Sequence, residues 1–199
     1  NPQTPAITRA FDGGFSPGPN TLELAANYTT NTQGLTVTIT FAAGYASGVG
    51  DVSFSLFDID FANASGNTYQ DLVRSISGTS ATGTPISSTI TGLGSVVSLA
   101  GSGLSQTLTG TASNTDTGPT SGMGNATITF NATDVRSVTF TYGSTTMFAN
   151  PTYQHIGIHN ITYSVVPEVN MMLRTSSPRW RCAPSTRVRS FAGNPKAIA

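Results

Sequence analysis

Charge is the first thing this chain lacks. Only 9% of its 199 residues are Asp, Glu, Lys or Arg, against about a quarter in an ordinary soluble domain. Lysine occurs once, at Lys196, and glutamate only at Glu23 and Glu168, so a paired-carboxylate glycosidase would have to use aspartates. The only cysteine, Cys182, and the only tryptophan, Trp180, both lie beyond residue 169. The preceding body therefore has neither a disulfide framework nor a zinc–cysteine site. No run of about 18 apolar residues is present, so no segment reads as a membrane-spanning helix. Helical periodicity is missing beyond one or two turns. The first residue is Asn1 rather than Met, which fits a trimmed terminus from which a signal peptide has gone.

What is present is a chain of short alternating runs. A hydrophobic share of 37%, together with low charge, argues against disorder. The zero net charge averages two unlike parts. Residues 1–169 hold all nine acids and only Arg9, Arg74 and Arg136, a net charge of −6. Residues 170–199 hold five arginines and Lys196 with no acid, a net charge of +6. Residues 1–20, with Pro2, Pro5, Pro17 and Pro19, read as an extended arm. Leu35 to Phe41 alternates strictly, with Leu35, Val37, Ile39 and Phe41 predicted inward. Residues 62–69 read as a polar loop, Leu72 to Ile76 as a strand, and 86–91, 95–99 and 104–111 as weaker strands. Ala126 to Phe130 and Val135 to Tyr142 read as a hairpin around residues 131–134. His155 to Tyr163 closes the series, with Ile156 and Ile158 inward and Ile161 joining them after a shift of phase. About nine to eleven strands with frequent turns predict an all-β, antiparallel two-sheet sandwich or jelly roll over residues 21–166. A basic tail, predicted to be disordered, follows over 167–199.

The chemistry is concentrated at Asp51 to Phe61. Val52, Phe54 and Leu56 alternate with Ser53 and Ser55, and the apolar phase then flips to Phe57, Ile59 and Phe61, as a β-bulge would cause. That places Asp58 and Asp60 together on the face opposite Phe57 and Ile59. Two carboxylates so close need water, a donor or a cation between them. Asp58, Asp60 and Asp71 are accordingly candidate ligands for Ca²⁺, which takes six to eight oxygens from carboxylates and loop carbonyls. The competing reading is that these aspartates bond loop amides or face water. No other cofactor is indicated. His155 and His159 would lie roughly 13 Å apart on a strand, too far to share a metal. There is no Gly-x-Ser-x-Gly elbow, and the acidic body argues against nucleic acid as a partner.

Taken together, Leu35 to Phe41, Phe57-Asp58-Ile59-Asp60, Gln70-Asp71, Asn125 to Phe130, Val138 to Gly143 and His155 to Tyr163 resemble a β-sandwich module of secreted and surface-anchored bacterial proteins. Val165-Val166-Pro167-Glu168 resembles the start of a PEP-CTERM sorting signal, although Val169 stands where that signal has proline and no apolar helix follows. Arg179-Trp180-Arg181-Cys182 back-translates, one base out of phase, to Ala-Leu-Ala-Leu. The tail thus reads either as a frameshifted sorting helix or as a natural basic segment. The resemblance covers about residues 30–169 and implies export and surface or matrix deposition without catalysis. Two alternatives remain beside a structural or adhesive role. A carbohydrate-binding module would stack extracellular polysaccharide on Tyr28, Tyr45, Tyr69, Tyr142 or Tyr153. A self-associating filament subunit would use the N-terminal arm to complete a neighbour's sheet.

Overall fold

The structure is a computed structural model and describes residues 5–16, 18–64, 66–111 and 116–166. The described residues fall within one compact unit, Asn1–Glu168. Residues 167–199 lie outside the described residues, as do the expectations of a tail, a sorting motif and a frameshift.

The described chain is all-β and antiparallel, as the alternation predicts. Its strands are β1 (Ala6–Thr8), β2 (Thr21–Asn27), β3 (Gly34–Thr40), β4 (Val49–Phe57), β5 (Phe61–Ala64), β6 (Asn67–Ser80) and β7 (Pro85–Ile86). There follow β8 (Thr89–Thr91), β9 (Val97–Ala100), β10 (Thr107–Gly110), β11 (Ala126–Phe130), β12 (Val135–Ser144) and β13 (Tyr153–Val165). The only helices among the described residues are three single 3₁₀ turns.

Hydrogen bonding joins these strands into one 13-stranded ladder made of two runs. One run is β1-β2-β13-β4-β11-β8, and the other is β3-β12-β6-β10-β9, with β5 and β7 added to β6. Their link is a single residue pair, Val135 with Val49. Both runs feed one core, in which Val52, Phe54, Leu56, Ile128, Phe130 and Ile156 from the first meet Val73, Ile76, Leu108, Val138 and Phe140 from the second. Phe54 stacks on Phe140 at 6.0 Å. Each such side chain contributes about 1.5–3 kcal/mol of transfer free energy, so the alternating residues of both runs hold this one core together.

Several local expectations change. β11 and β12 do not form a hairpin: β11 pairs with β4 and β8, and β12 with β3 and β6. Residues 131–134 instead carry the chain from one run to the other. Residues 62–69 are not a loop but the β5–β6 hairpin, in register from Phe61–Gln70 to Ala64–Asn67. β3 is present, yet Val37 and Ile39 are only half-buried and Leu35 is exposed, because no strand among the described residues covers that edge. Ile161 is exposed as well, even though Asn160 at φ 55° does break the register of β13.

Residues 9–16 fold back over the outer face of β4 and β13. Phe11 is buried with its ring 4.6 Å from that of His155, edge to face. Gly13 donates its N–H to Pro119 O, and Asn125 Nδ2 donates to Gly13 O. Gly13 adopts φ 59°, and a Cβ there would meet the Phe57 ring at 2.7 Å, so only glycine lets the arm lie this close.

Candidate functional site

The break in phase after Leu56 lies at Asp58, which takes φ 69°. As a result Phe57 and Ile59 do not share a face. Ile59 enters the main core, while Phe57 is covered from outside by Phe15 and His159, with ring centroids 5.8 and 5.3 Å away. The two aspartates between β4 and β5 turn inward instead of facing solvent. Asp58, Asp60 and Asp71 are 2%, 1% and 0% exposed, and an ionised carboxylate at such depth must be paired or must give up its charge.

Asp60 and Asp71 are held reciprocally: Asp60 N–H donates to Asp71 Oδ2 (3.1 Å), and Asp71 N–H donates to Asp60 O (3.0 Å). Asp71 Oδ1 accepts from Tyr142 Oη at 2.8 Å. With its amide turned to satisfy both neighbours, Gln154 Nε2 donates to Asp71 Oδ1 (2.8 Å) and Gly143 O (3.3 Å). Asp60 Oδ1 accepts from Tyr69 Oη (3.0 Å), and Asp60 Oδ2 accepts from Thr117 N–H (2.7 Å) and Oγ1 (3.3 Å). All four oxygens of Asp60 and Asp71 thus have protein donors. Asp58 differs. Its Oδ2 lies 3.5 Å from His155 Nε2, whose Nδ1 lies 3.5 Å from Glu23 Oε1, and its Oδ1 is buried without a partner. Asn125 Oδ1 is the other unpartnered buried side-chain oxygen or nitrogen among the described residues.

The electrostatics follow first from burial. Loss of water pushes the Asp58 carboxyl up to about 8, with the charges of Asp60 and Asp116 adding to the effect. Burial also raises Asp60, partly offset by the Thr117 amide, and raises Asp71 well above the usual carboxylate range. Tyr69 and Tyr142 are raised by the same desolvation and the adjacent acids. In all three carboxyls loss of water favours the neutral form, and at Asp60 and Asp71 the hydrogen-bond donors oppose it.

The three candidate calcium ligands are therefore all interior; Asp60 and Asp71 share one hydrogen-bond network, and Asp58 stands beside His155 outside it. Among the described residues, however, no group of three His, Cys, Asp or Glu side chains is placed to hold a metal ion. An ion at Asp60 or Asp71 would have to displace protein donors, whereas Asp58 Oδ1 is open to one. Of the tyrosines considered for stacking, Tyr28, Tyr69 and Tyr142 are buried. Tyr45 joins the exposed Tyr163 with ring centroids 5.7 Å apart, and Tyr153 lies beside His155 at 5.5 Å. Sequence reasoning missed Tyr69, Thr117, Tyr142 and Gln154 as partners of the acids, since no local pattern marks a donor that arrives from a distant strand. No family model, curated protein or solved structure matches this chain.

Proposed function

We propose that the chain is a secreted bacterial protein with a structural or adhesive role at the cell surface or in the extracellular matrix, and that it performs no catalysis. The observation that carries this reading is the state of its densest titratable cluster. Asp60 and Asp71 use their oxygens on the protein's own donors, tying β6, β12, β13 and the segment at Thr117 to the β4–β5 link. At 0–2% exposure these acids offer a substrate no surface, and their hydrogen bonds serve the fold. The outer strand faces carry paired hydroxyls, Ser53–Thr129, Ser55–Thr127, Thr36–Thr141 and Thr38–Thr139, a wettable, uncharged surface suited to a sugar-rich matrix. The resemblance to exported bacterial modules points the same way.

Fractionation of the producing bacterium with an antibody to residues 21–166 tests the reading. The protein is expected in the surface and matrix fractions, and confinement to the cytoplasm would overturn it. Glycan binding is the second reading, favoured by the exposed aromatic group in which Tyr163 lies 5.2 Å from Phe41 and 5.7 Å from Tyr45. If that group binds sugar, Tyr163→Ala abolishes retention on matrix polysaccharide; unchanged retention removes the reading.

A further inference from the structure

β3 is the longest strand with a single partner. Its seven residues pair in unbroken register with β12, and among the described residues no strand lies on its other edge. The other strands with one partner are β1, β5, β7, β8 and β9, of two to four residues each. Proteins usually protect such an edge with charge, proline or a bulge. Gly34-Leu35-Thr36-Val37-Thr38-Ile39-Thr40 has none of these. Beside it lies an apolar cavity of about 410 Å³ lined by Pro5, Leu22, Leu24, Tyr28, Leu35 and Val37. The cause is a mismatch between the two runs. Outward from the Val49–Val135 link, one run continues through β13, β2 and β1, while the other ends at β3. Leu22 and Leu24 of β2 thus line a space that one more strand beside β3 would cover.

We propose that this strand is β3 of a second copy, paired antiparallel about a two-fold axis through Val37. The segment is its own complement in that register: Val37 meets Val37 of the second copy, Leu35 meets Ile39, and Thr36 meets Thr38. The apolar row of the second copy then covers the cavity. Its threonines extend the hydroxyl pairs Thr36–Thr141 and Thr38–Thr139. A two-fold axis brings each central residue close to itself, so any charge there would repel its own copy; β3 carries no charge. Residues 6–16 are not the occupant, since β1 is paired with β2 and residues 9–16 are packed on their own body through Phe11 and Gly13. Seven paired residues span about 23 Å, a contact smaller than a standard interface, so the dimer is concentration-dependent. The inference stands apart from the proposed location and role.

Cross-linking in the full chain tests it, with Cys182→Ser as background so that only the introduced thiol reacts. Directly opposed residues of an antiparallel pair lie about 4.5–5.5 Å apart, within disulfide reach. Val37→Cys is therefore expected to give an oxidised dimer at least tenfold faster than Thr36→Cys, whose own copy sits out of register. In sedimentation the unmodified chain is expected to dimerise with concentration. Val37→Lys remains monomeric there, and mixing it with Val37→Glu restores the dimer. A chain that stays monomeric at every concentration overturns the proposal. So does equal cross-linking at positions 36 and 37, or a dimer that survives Val37→Lys, which would place the contact on the arm or elsewhere.

Discussion

At the scale of single residues, Asp71 shows how a chain so poor in base can bury acid. Its carboxyl accepts from Tyr142, Gln154 and the Asp60 amide, donors that favour the ionised form, while burial pulls the other way and raises its pKa well above the usual carboxylate range. Tyr142→Phe removes one donor and keeps the ring. The expected loss is about 1–2 kcal/mol, the worth of one hydrogen bond to a buried acid that keeps its Gln154 donor, read as a fall in melting midpoint of roughly 2–4 °C per kcal/mol. An unchanged midpoint would mean that the network contributes nothing to stability. The acids themselves were legible in the sequence as a cluster, because Asp58 and Asp60 interrupt an apolar strand. Their burial was not, because it depends on the positive φ of Asp58 and on donors from Tyr69 to Gln154 that only the folded topology assembles.

At the scale of elements, alternation located most strands but could not say which would be covered. Leu35 to Phe41 and Phe54 to Leu56 have the same period, yet β4 lies between two strands and β3 at an edge. Short-range logic likewise makes β11 and β12 a hairpin, although they do not pair with each other and, apart from the Val49–Val135 link, their partners lie in different runs. The arm is the opposite case: proline marked it as irregular, while Phe11 and Gly13 dock it. Phe11→Ala should cost about 3 kcal/mol, near the lower end for a buried aromatic, and should release the arm from β13. Limited proteolysis would then cut within residues 9–16 before the body unfolds. Cleavage at the rate of the unaltered chain would show that Phe11 does not hold the arm.

At the scale of the whole molecule, the buried carboxyls set a pH dependence with a definite sign. Unfolded aspartates ionise near pH 4, whereas Asp58 in the folded chain holds its proton to about 8 and Asp60 and Asp71 are shifted in the same direction. Between those limits the folded state binds more protons than the unfolded state, so stability falls as pH rises. At about 1.4 kcal/mol per pH unit for a fully shifted group, the change amounts to several kcal/mol. A cation at Asp58 Oδ1 would act in the reverse direction, favouring the ionised carboxylate and adding stability by mass action.

The most direct measurement is the melting midpoint from pH 5 to pH 8, in chelator and in calcium, for the unaltered chain and for Asp58→Asn. Buried carboxyls with raised pKa values predict a midpoint that falls with rising pH whether or not calcium is present. It also predicts that Asp58→Asn raises the midpoint at pH 8, leaves it nearly unchanged at pH 5 and flattens the slope. A midpoint that rises with pH, or that calcium lifts by several degrees and Asp58→Asn then lowers, would contradict the account and make these aspartates ligands of an ion.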